Sequence, residues 1–246
     1  DSFERFGEYD GTYRLVCDRD RDGAALCFRG IDAARWDSVR RTLDGLDTIV
    51  SARMNVLADP DFDDFQPILY IDSDVLCDRP IEGLLVAAAR SERILIATEF
   101  HGQTIAEVGP PHGHWFGLFL RDADPRIDAH RCINNGIFAA RNRLAFLGPF
   151  AAVSESWARF KAAHGEAHRA AYDQPFYSSV LQSLDAADTD TMNRWVRNLQ
   201  GVEPTYADAP AGLTHFNVGV GMNKTQAMLR YVGLLEGRRS PARPAA

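Results

Sequence analysis

The stretch Gln66–Cys77 reads QPILYIDSDVLC: an apolar run, Ile68 to Ile71, ends in two carboxylates and becomes apolar again at Val75. The run is short and apolar enough for a strand buried on both faces, the kind that fills a parallel sheet. Asp72 and Asp74 then stand at its carboxyl end, the edge of an open α/β sheet where ligands bind. Residues two apart on a strand point to one side. Two carboxylates held together in a partly buried place repel unless a proton or cation intervenes, and a divalent ion is the simplest remedy. The pattern alone does not decide the matter. Asp-x-Asp also occurs at Asp18/Asp20, Asp59/Asp61, Asp122/Asp124 and Asp188/Asp190, in stretches that read as solvated turns. At Asp72/Asp74 the competing reading has one Asp capping a helix near Pro80 and the other in solvent.

Outward from this run, short apolar strands alternate with helical patterns. Strands are expected at Tyr13–Cys17, Thr48–Val50, Ile94–Thr98, Cys132–Ala140 and Leu213–Asn217. Trp36, Val39, Leu43 and Leu46 recur at spacings of three and four, which predicts an amphipathic helix from Asp32 to Leu46 with Asp32 as its N-cap. Further helices are expected from Ser51 to Leu57, Ile81 to Ala89, Ala151 to Ala163, Gln174 to Leu184 and Lys224 to Leu235. Between Gly102 and Arg131 the pattern weakens into a long loop containing PPHGHWFG, the kind of segment that forms lids or binding loops. There His112, His114 and Trp115 either line a sugar site by stacking or belong to a plain lid. The tail from Gly237 reads as disordered. The alternation predicts an α/β three-layer sandwich with a mixed, mostly parallel sheet, in one domain over residues 1–236.

A chain of 246 residues can bury most of its surface without a disulfide or metal staple. Its net charge of -7 disfavours a general nucleic-acid partner, which calls for a basic face. Cys17, Cys27, Cys77 and Cys132 form no C-x-x-C pair and read as free thiols in a reducing, cytoplasmic setting. No apolar run approaches the ~20 residues of a membrane span. Arg238, Arg239 and Arg243 allow at most weak peripheral contact with an anionic membrane face.

Three more stretches place polar residues where the core pattern does not need them. CINNGIFAARN puts Asn134, Asn135 and Gly136 inside a strand-like run, which implies a polar ligand, a close backbone approach or a β-bulge. YDQPFYSSVL opens a helix with Asp173, Gln174 and Pro175, a combination that also serves as a simple cap. LTHFNVGVGMNK sets His215 before Gly219, Gly221 and Lys224, a pattern able to cradle phosphate.

In this order the four stretches resemble the retaining GT-A glycosyltransferases of family 8, the family of glycogenin and the bacterial lipopolysaccharide galactosyltransferases. The family's phrases look like LYLDxDvlv, NaGv, DQd and HfxGxxKPW; here they read LYIDSDVLC, NNGI, YDQPF and HFNVGVGMNK. The resemblance runs from about Tyr13 to Lys224. It implies a divalent metal, usually Mn2+, on Asp72, Asp74 and His215, and a UDP-sugar donor. It implies that Arg53 contacts the nucleotide diphosphate and that Gly219 and Lys224 serve the phosphates. Asn134, Gly136, Asp173 and Gln174 would line the sugar pocket, with Gln174 beside the anomeric carbon. The acceptor would be a carbohydrate or glycolipid. Two departures stand out. The family's base-binding first strand has no counterpart ahead of Tyr13, so either the protein extends upstream of Asp1 or the base is held differently. The interval from His215 to Lys224 is stretched and no Pro-Trp follows. Two rival readings remain open: an inactive carbohydrate- or nucleotide-binding module of the same fold, and a haloacid-dehalogenase-type phosphatase with Asp72 as nucleophile.

Overall fold

The computed structural model describes residues 2–18, 20–25, 28, 30–42, 52–54, 59–110, 112–165, 172–199, 209–217 and 223–239. Its strands are β1 (Tyr13–Cys17), β2 (Trp36–Arg40), β3 (Ile68–Ile71), β4 (Val75–Cys77), β5 (Ile94–Thr98), β6 (Ile133–Ala140), β7 (Ala187–Asp188), β8 (Val196–Asn198) and β9 (Leu213–His215). Its helices are α1 (Ser2–Arg5), α2 (Arg21–Ala25), α3 (Glu82–Arg90), α4 (Ile105–Val108), α5 (His112–Trp115), α6 (Leu144–His164), α7 (Gln174–Ser183), α8 (Thr189–Asn193) and α9 (Lys224–Arg239).

The central sheet has the order β3-β6-β5-β7, and a smaller one has the order β4-β9-β8. Both are mixed: β6 runs antiparallel to β3 and β5, β7 parallel to β5, β4 antiparallel to β9, and β8 parallel to β9. Parallel pairing is therefore not dominant among the described residues. All eight residues of β6 are buried, and alternation sorts the strands into two cores. Ile94, Ile96, Phe138 and Ala140 face Phe146, Phe150, Val153 and Trp157 of α6 and Phe176, Tyr177 and Leu181 of α7. Leu95, Ala97, Ile137 and Ala139 face Leu84 and Ala88 of α3, together with Val75, Cys77 and Leu213. A sheet covered on both faces is the layered α/β architecture that the continuous apolar runs predict.

Several expected elements change. The helix over Asp32–Leu46 is not formed: Trp36–Arg40 is a strand, paired in parallel with β1 from Tyr13↔Trp36 to Cys17↔Arg40. Asp32 does cap, but it caps the short 3-10 turn Ala33–Arg35, accepting from Ala34 N at 2.9 Å. Backbone pairing and the stacking of Trp36 on Phe28 at 4.8 Å override a weak helical period. Residues 43–46 of that expectation, and Thr48–Val50, lie outside the described residues; of Ser51–Leu57, residues 52–54 are helical. The Gly102–Arg131 segment is a series of short helical turns. Gly237 does not begin a disordered tail, since α9 continues to Arg239, and residues 240–246 lie outside the described residues.

Cys77 and Cys132 are buried free thiols, and burial pushes both up to about 12; Cys17 is half-buried and Cys27 lies outside the described residues. Among the described residues no helix is long and apolar enough to cross a membrane.

Candidate active site

Asp72 and Asp74 converge through a turn, not by alternation along one strand. Strand β3 ends at Ile71, where Asp72 N donates to Gly136 O at 2.8 Å, and Val75 N donates back to Asp72 O at 3.3 Å. The chain reverses there into β4, which pairs with β9 so that Val75 lies opposite His215. Phe216 N donates to Asp74 O at 2.9 Å and locks the two elements together. Carboxylate oxygens of Asp72 and Asp74 and a ring nitrogen of His215 thus lie within 4.8 Å of one another.

The hydrogen bonds around His215 fix its tautomer. Asn198 Nδ2 donates to Thr98 O at 2.7 Å, which turns Asn198 Oδ1 toward the imidazole. That oxygen lies 3.1 Å from His215 Nδ1, so Nδ1 is the donor. Nε2 lies 3.2 Å from Asp74 Oδ1. Asp74 Oδ1 is buried and has no hydrogen-bond partner of good geometry. A buried acceptor without a partner is costly, and such groups mark an absent ion or a working site. Burial pushes the Asp74 carboxyl up, but nearby His215 and the Lys224 ammonium, 2.5 Å from Oδ2, outweigh it and hold it at about 2. The cluster therefore presents carboxylate, not acid. Two carboxylates and an imidazole oriented by a second residue make a donor set that suits a divalent transition metal such as Mn2+.

Strand β6 supplies the opposite wall. Its register against β5 shifts between Ile96, opposite Phe138, and Ala97, opposite Asn134. Gly136 lies against the cluster and Asn135 against Asp173, so a bulge and a close backbone approach are both present. A Cβ on Gly136 would lie 2.8 Å from Asp72 Oδ2 and 3.1 Å from both Asn134 Oδ1 and His215 Cε1. Only glycine leaves these groups room. Tyr70 OH donates to Asp72 Oδ1 at 2.8 Å.

Asp173 precedes α7 but makes no side-chain cap. Its Oδ1 accepts from Asn135 Nδ2 at 2.8 Å, and its Oδ2 lies 3.5 Å from Arg53 Nε, buried and without a hydrogen bond. Burial raises the Asp173 pKa, although Arg53 and Asn135 oppose it. Arg53 reaches Asn135 O at 2.7 Å and lies 3.8 Å from Asp72 Oδ2. Buried among Asp72, Asp173 and the Tyr70 ring, its guanidinium offsets two carboxylates from within the protein.

Glu99 stands at the carboxyl end of β5 as Asp72 does at β3, and sequence reading missed it. Its Oε1 accepts from Asn134 Nδ2 (2.9 Å), Gln174 Nε2 (3.1 Å) and Asn217 Nδ2 (2.9 Å). Gln174 Nε2 also donates to Ile133 O at 3.0 Å. With both partners acceptors, the Gln174 amide is held with its carbonyl oxygen turned away from them. Asn134 Oδ1 accepts from Gly136 N at 2.9 Å, so this residue shapes the pocket through its own backbone.

Arg53, Asp72, Asp74, Asn134, Gly136, Asp173, Gln174, His215 and Lys224 are thus joined in one network, while Gly219 lies outside the described residues. Tyr70, Glu99, Asn198 and Asn217 belong to the same network without having been singled out from the sequence. An acidic residue directly after a fully buried strand was the available signal for Glu99.

The fold has known counterparts. The chain superposes on the galactosyltransferase LgtC in complex with donor and acceptor sugar analogs, with a TM-score of 0.61 and 14% identity over 98% of this chain and 91% of that one. It also superposes on mouse xyloside xylosyltransferase 1, with a TM-score of 0.55 and 14% identity over 88% of each chain. A third counterpart is the bifunctional glycosyltransferase WbbM, with a TM-score of 0.56 and 12% identity over 90% of this chain and 42% of that one. No family model and no curated protein matches the sequence. The chain has the α/β GT-A fold.

Proposed function

We propose that the chain is a glycosyltransferase that moves a hexosyl group from a UDP-sugar to a hydroxyl of a carbohydrate or glycolipid acceptor. It does so with a divalent metal, Mn2+ by preference, and with retention of the anomeric configuration. The observation that carries this reading is the convergence of Asp72, Asp74 and His215, each with a ligand atom within 4.8 Å of the others. Asp72, Asp74 and His215 would hold the metal, which when bound supplies Lewis-acid charge to the leaving diphosphate. Lys224, half exposed at the first residue of α9, is placed to transfer its ammonium from Asp74 to the same phosphates. Gly219 would contribute to the phosphate cradle between them.

On the sugar side, the Asp173 carboxylate would line the pocket. Arg53 and Asn135 keep that carboxylate in place and make its burial tolerable. The Gln174 carbonyl oxygen, oriented by Glu99 and Ile133 O, offers a partial negative charge to the positive charge that develops at an anomeric carbon. Asn134 and Gly136 set the shape of that pocket.

The test is release of UDP from a panel of UDP-hexoses with Mn2+, followed by assignment of the product anomer by NMR. Mn2+-dependent release with an α-linked product from an α-linked donor is expected. Metal-dependent UDP binding without turnover of any UDP-hexose, toward any acceptor supplied, would favour the inactive binding module instead.

A further inference from the structure

An exposed aromatic pair that the donor site does not use lies beside the polar network. The rings of Trp115 and Tyr172 meet with centroids 4.6 Å apart, inclined by 47°. They remain 42% and 37% exposed, whereas Phe116, Trp157 and Tyr177 are buried. Exposed apolar surface with a polar rim marks binding sites, and His112 and His114 on α5 are exposed beside Trp115.

The pair joins the network on two sides. Tyr172 immediately precedes Asp173 and Gln174. Trp115 is followed by Phe116, which packs edge-on against Phe100 at 5.7 Å, and Phe100 follows Glu99. Phe100 adopts φ of 51°, uncommon for a bulky residue, so surrounding packing sets the path out of β5. Gly117, at φ of 112°, lies so near the start of α7 that a Cβ would be 3.2 Å from Pro175 O. The turn that carries Trp115 is thereby held against the helix that carries Gln174.

We propose that Trp115 and Tyr172 form the platform for the acceptor sugar. A pyranose is half apolar: its ring C–H groups cluster on one face and its hydroxyls lie around the rim. Aromatic rings with a polar N–H or O–H at one end match both parts. A sugar stacked on the pair presents its rim toward Asp173 and Gln174, where the donor's anomeric carbon is placed by the reading above. The role as acceptor platform rests on that reading; the binding of sugar to the pair does not.

The test labels the tryptophans with 5-fluorotryptophan and follows them by fluorine NMR. The chain has four tryptophans, and Trp115→Phe identifies the resonance of interest. The probes are methyl glycosides of glucose, galactose, N-acetylglucosamine and xylose, with lactose and cellobiose, each added with and without UDP and Mn2+. At least one sugar is expected to shift the Trp115 resonance saturably while that of Trp157, buried in the core, stays fixed. Tyr172→Ala is expected to weaken that sugar about five-fold, the scale of one aromatic contact, and Trp115→Ala to weaken it likewise by saturation-transfer NMR. An unchanged Trp157 resonance shows that Tyr172→Ala still folds, and Tyr172→Leu replaces it if it does not. A Trp115 resonance that no probe moves, or a sugar affinity indifferent to Tyr172, overturns the platform. UDP binding measured on the same sample separates the two ideas. Sugar binding at Trp115 without UDP binding leaves the platform and removes the transferase reading, and the opposite result does the reverse.

Discussion

The Asp124–His130 pair and the Asp74–His215 pair both set a buried imidazole beside a carboxylate, 3.0 Å apart in one and 3.2 Å in the other. They differ in how the remaining valences are met. Asp124 Oδ2 accepts from Ser179 Oγ (2.7 Å) and Ser183 Oγ (3.2 Å) and faces His130 Nε2, while Oδ1 accepts from Arg126 N (3.1 Å). Each acceptor in that cluster meets a donor, and the result is a clasp joining the turns before β6 to α7. At Asp74, Oδ1 is buried and meets no donor of good geometry. The same residue types make a closed structural joint in one place and, on the proposed reading, a metal site in the other. Satisfaction of the buried atoms, more than the identity of the residues, separates the two.

Asp74→Asn tests the open site most severely. It keeps the volume and removes the charge, and turnover of the donor sugar is expected to fall by roughly 10²–10³-fold, the range for loss of an electrostatic stabiliser. The fold should remain, as circular dichroism can check. Asn198→Ala leaves the three ligand residues in place but frees the His215 ring. Mn2+ affinity is expected to drop about 10- to 100-fold, the usual scale for losing such an orienting partner, measured by water-proton relaxation.

The closed cluster should answer in the opposite way. Asp124→Ala takes the acceptor from Ser179, Ser183, His130 and Arg126 N, of which Ser179 and His130 are buried, and urea unfolding is expected to show a loss of about 1–3 kcal/mol. UDP affinity should not change. A loss of UDP binding in a folded Asp124→Ala protein would break the distinction drawn between the clusters.

The smallest effect is on pH dependence. Burial pushes the His130 pKa below its ordinary 6.5, with Asp124 opposing. Burial would raise Asp124, but Ser179, His130, the Arg126 N–H and Ser183 outweigh it and hold it below 3.8. In both cases the unfolded chain takes up the proton first. The His130 contribution is complete above about pH 6.5 and is lost as pH falls toward its folded pKa; that of Asp124 is lost below about pH 3.8. Thermal melts between pH 7 and pH 5 should therefore fall more steeply for the wild type than for His130→Gln.

Much of the open site was legible because its residues interrupt apolar runs. Asp72, Asn134 and His215 each stand where burial predicts a hydrophobe, and a polar residue in such a place needs a partner. Glu99 obeyed the same rule at the end of Ile94–Thr98 but lacked a second acidic residue to draw notice. Asn198 and Asn217 drew no notice, because each sits at the end of a short stretch with no acidic pair or glycine beside it to set it apart. The strand Trp36–Arg40 was misread because Trp36, Val39, Leu43 and Leu46 recur at helical spacings, while pairing with Tyr13–Cys17 is invisible to local pattern. Val75–Cys77 was not assigned an element from the sequence, yet beyond the turn at Asp72–Asp74 it is a strand of another sheet. That division brings Asp74 to His215, and no local period encodes it.

The most direct test of the central claim is calorimetric titration of UDP into the wild-type chain, with Mn2+ and then with EDTA. Binding that appears with Mn2+ and vanishes with EDTA is the predicted result. UDP binding of equal strength in EDTA, or saturable Mn2+ binding that Asp74→Asn leaves unchanged, would contradict the assignment of Asp72, Asp74 and His215 as the metal and diphosphate site.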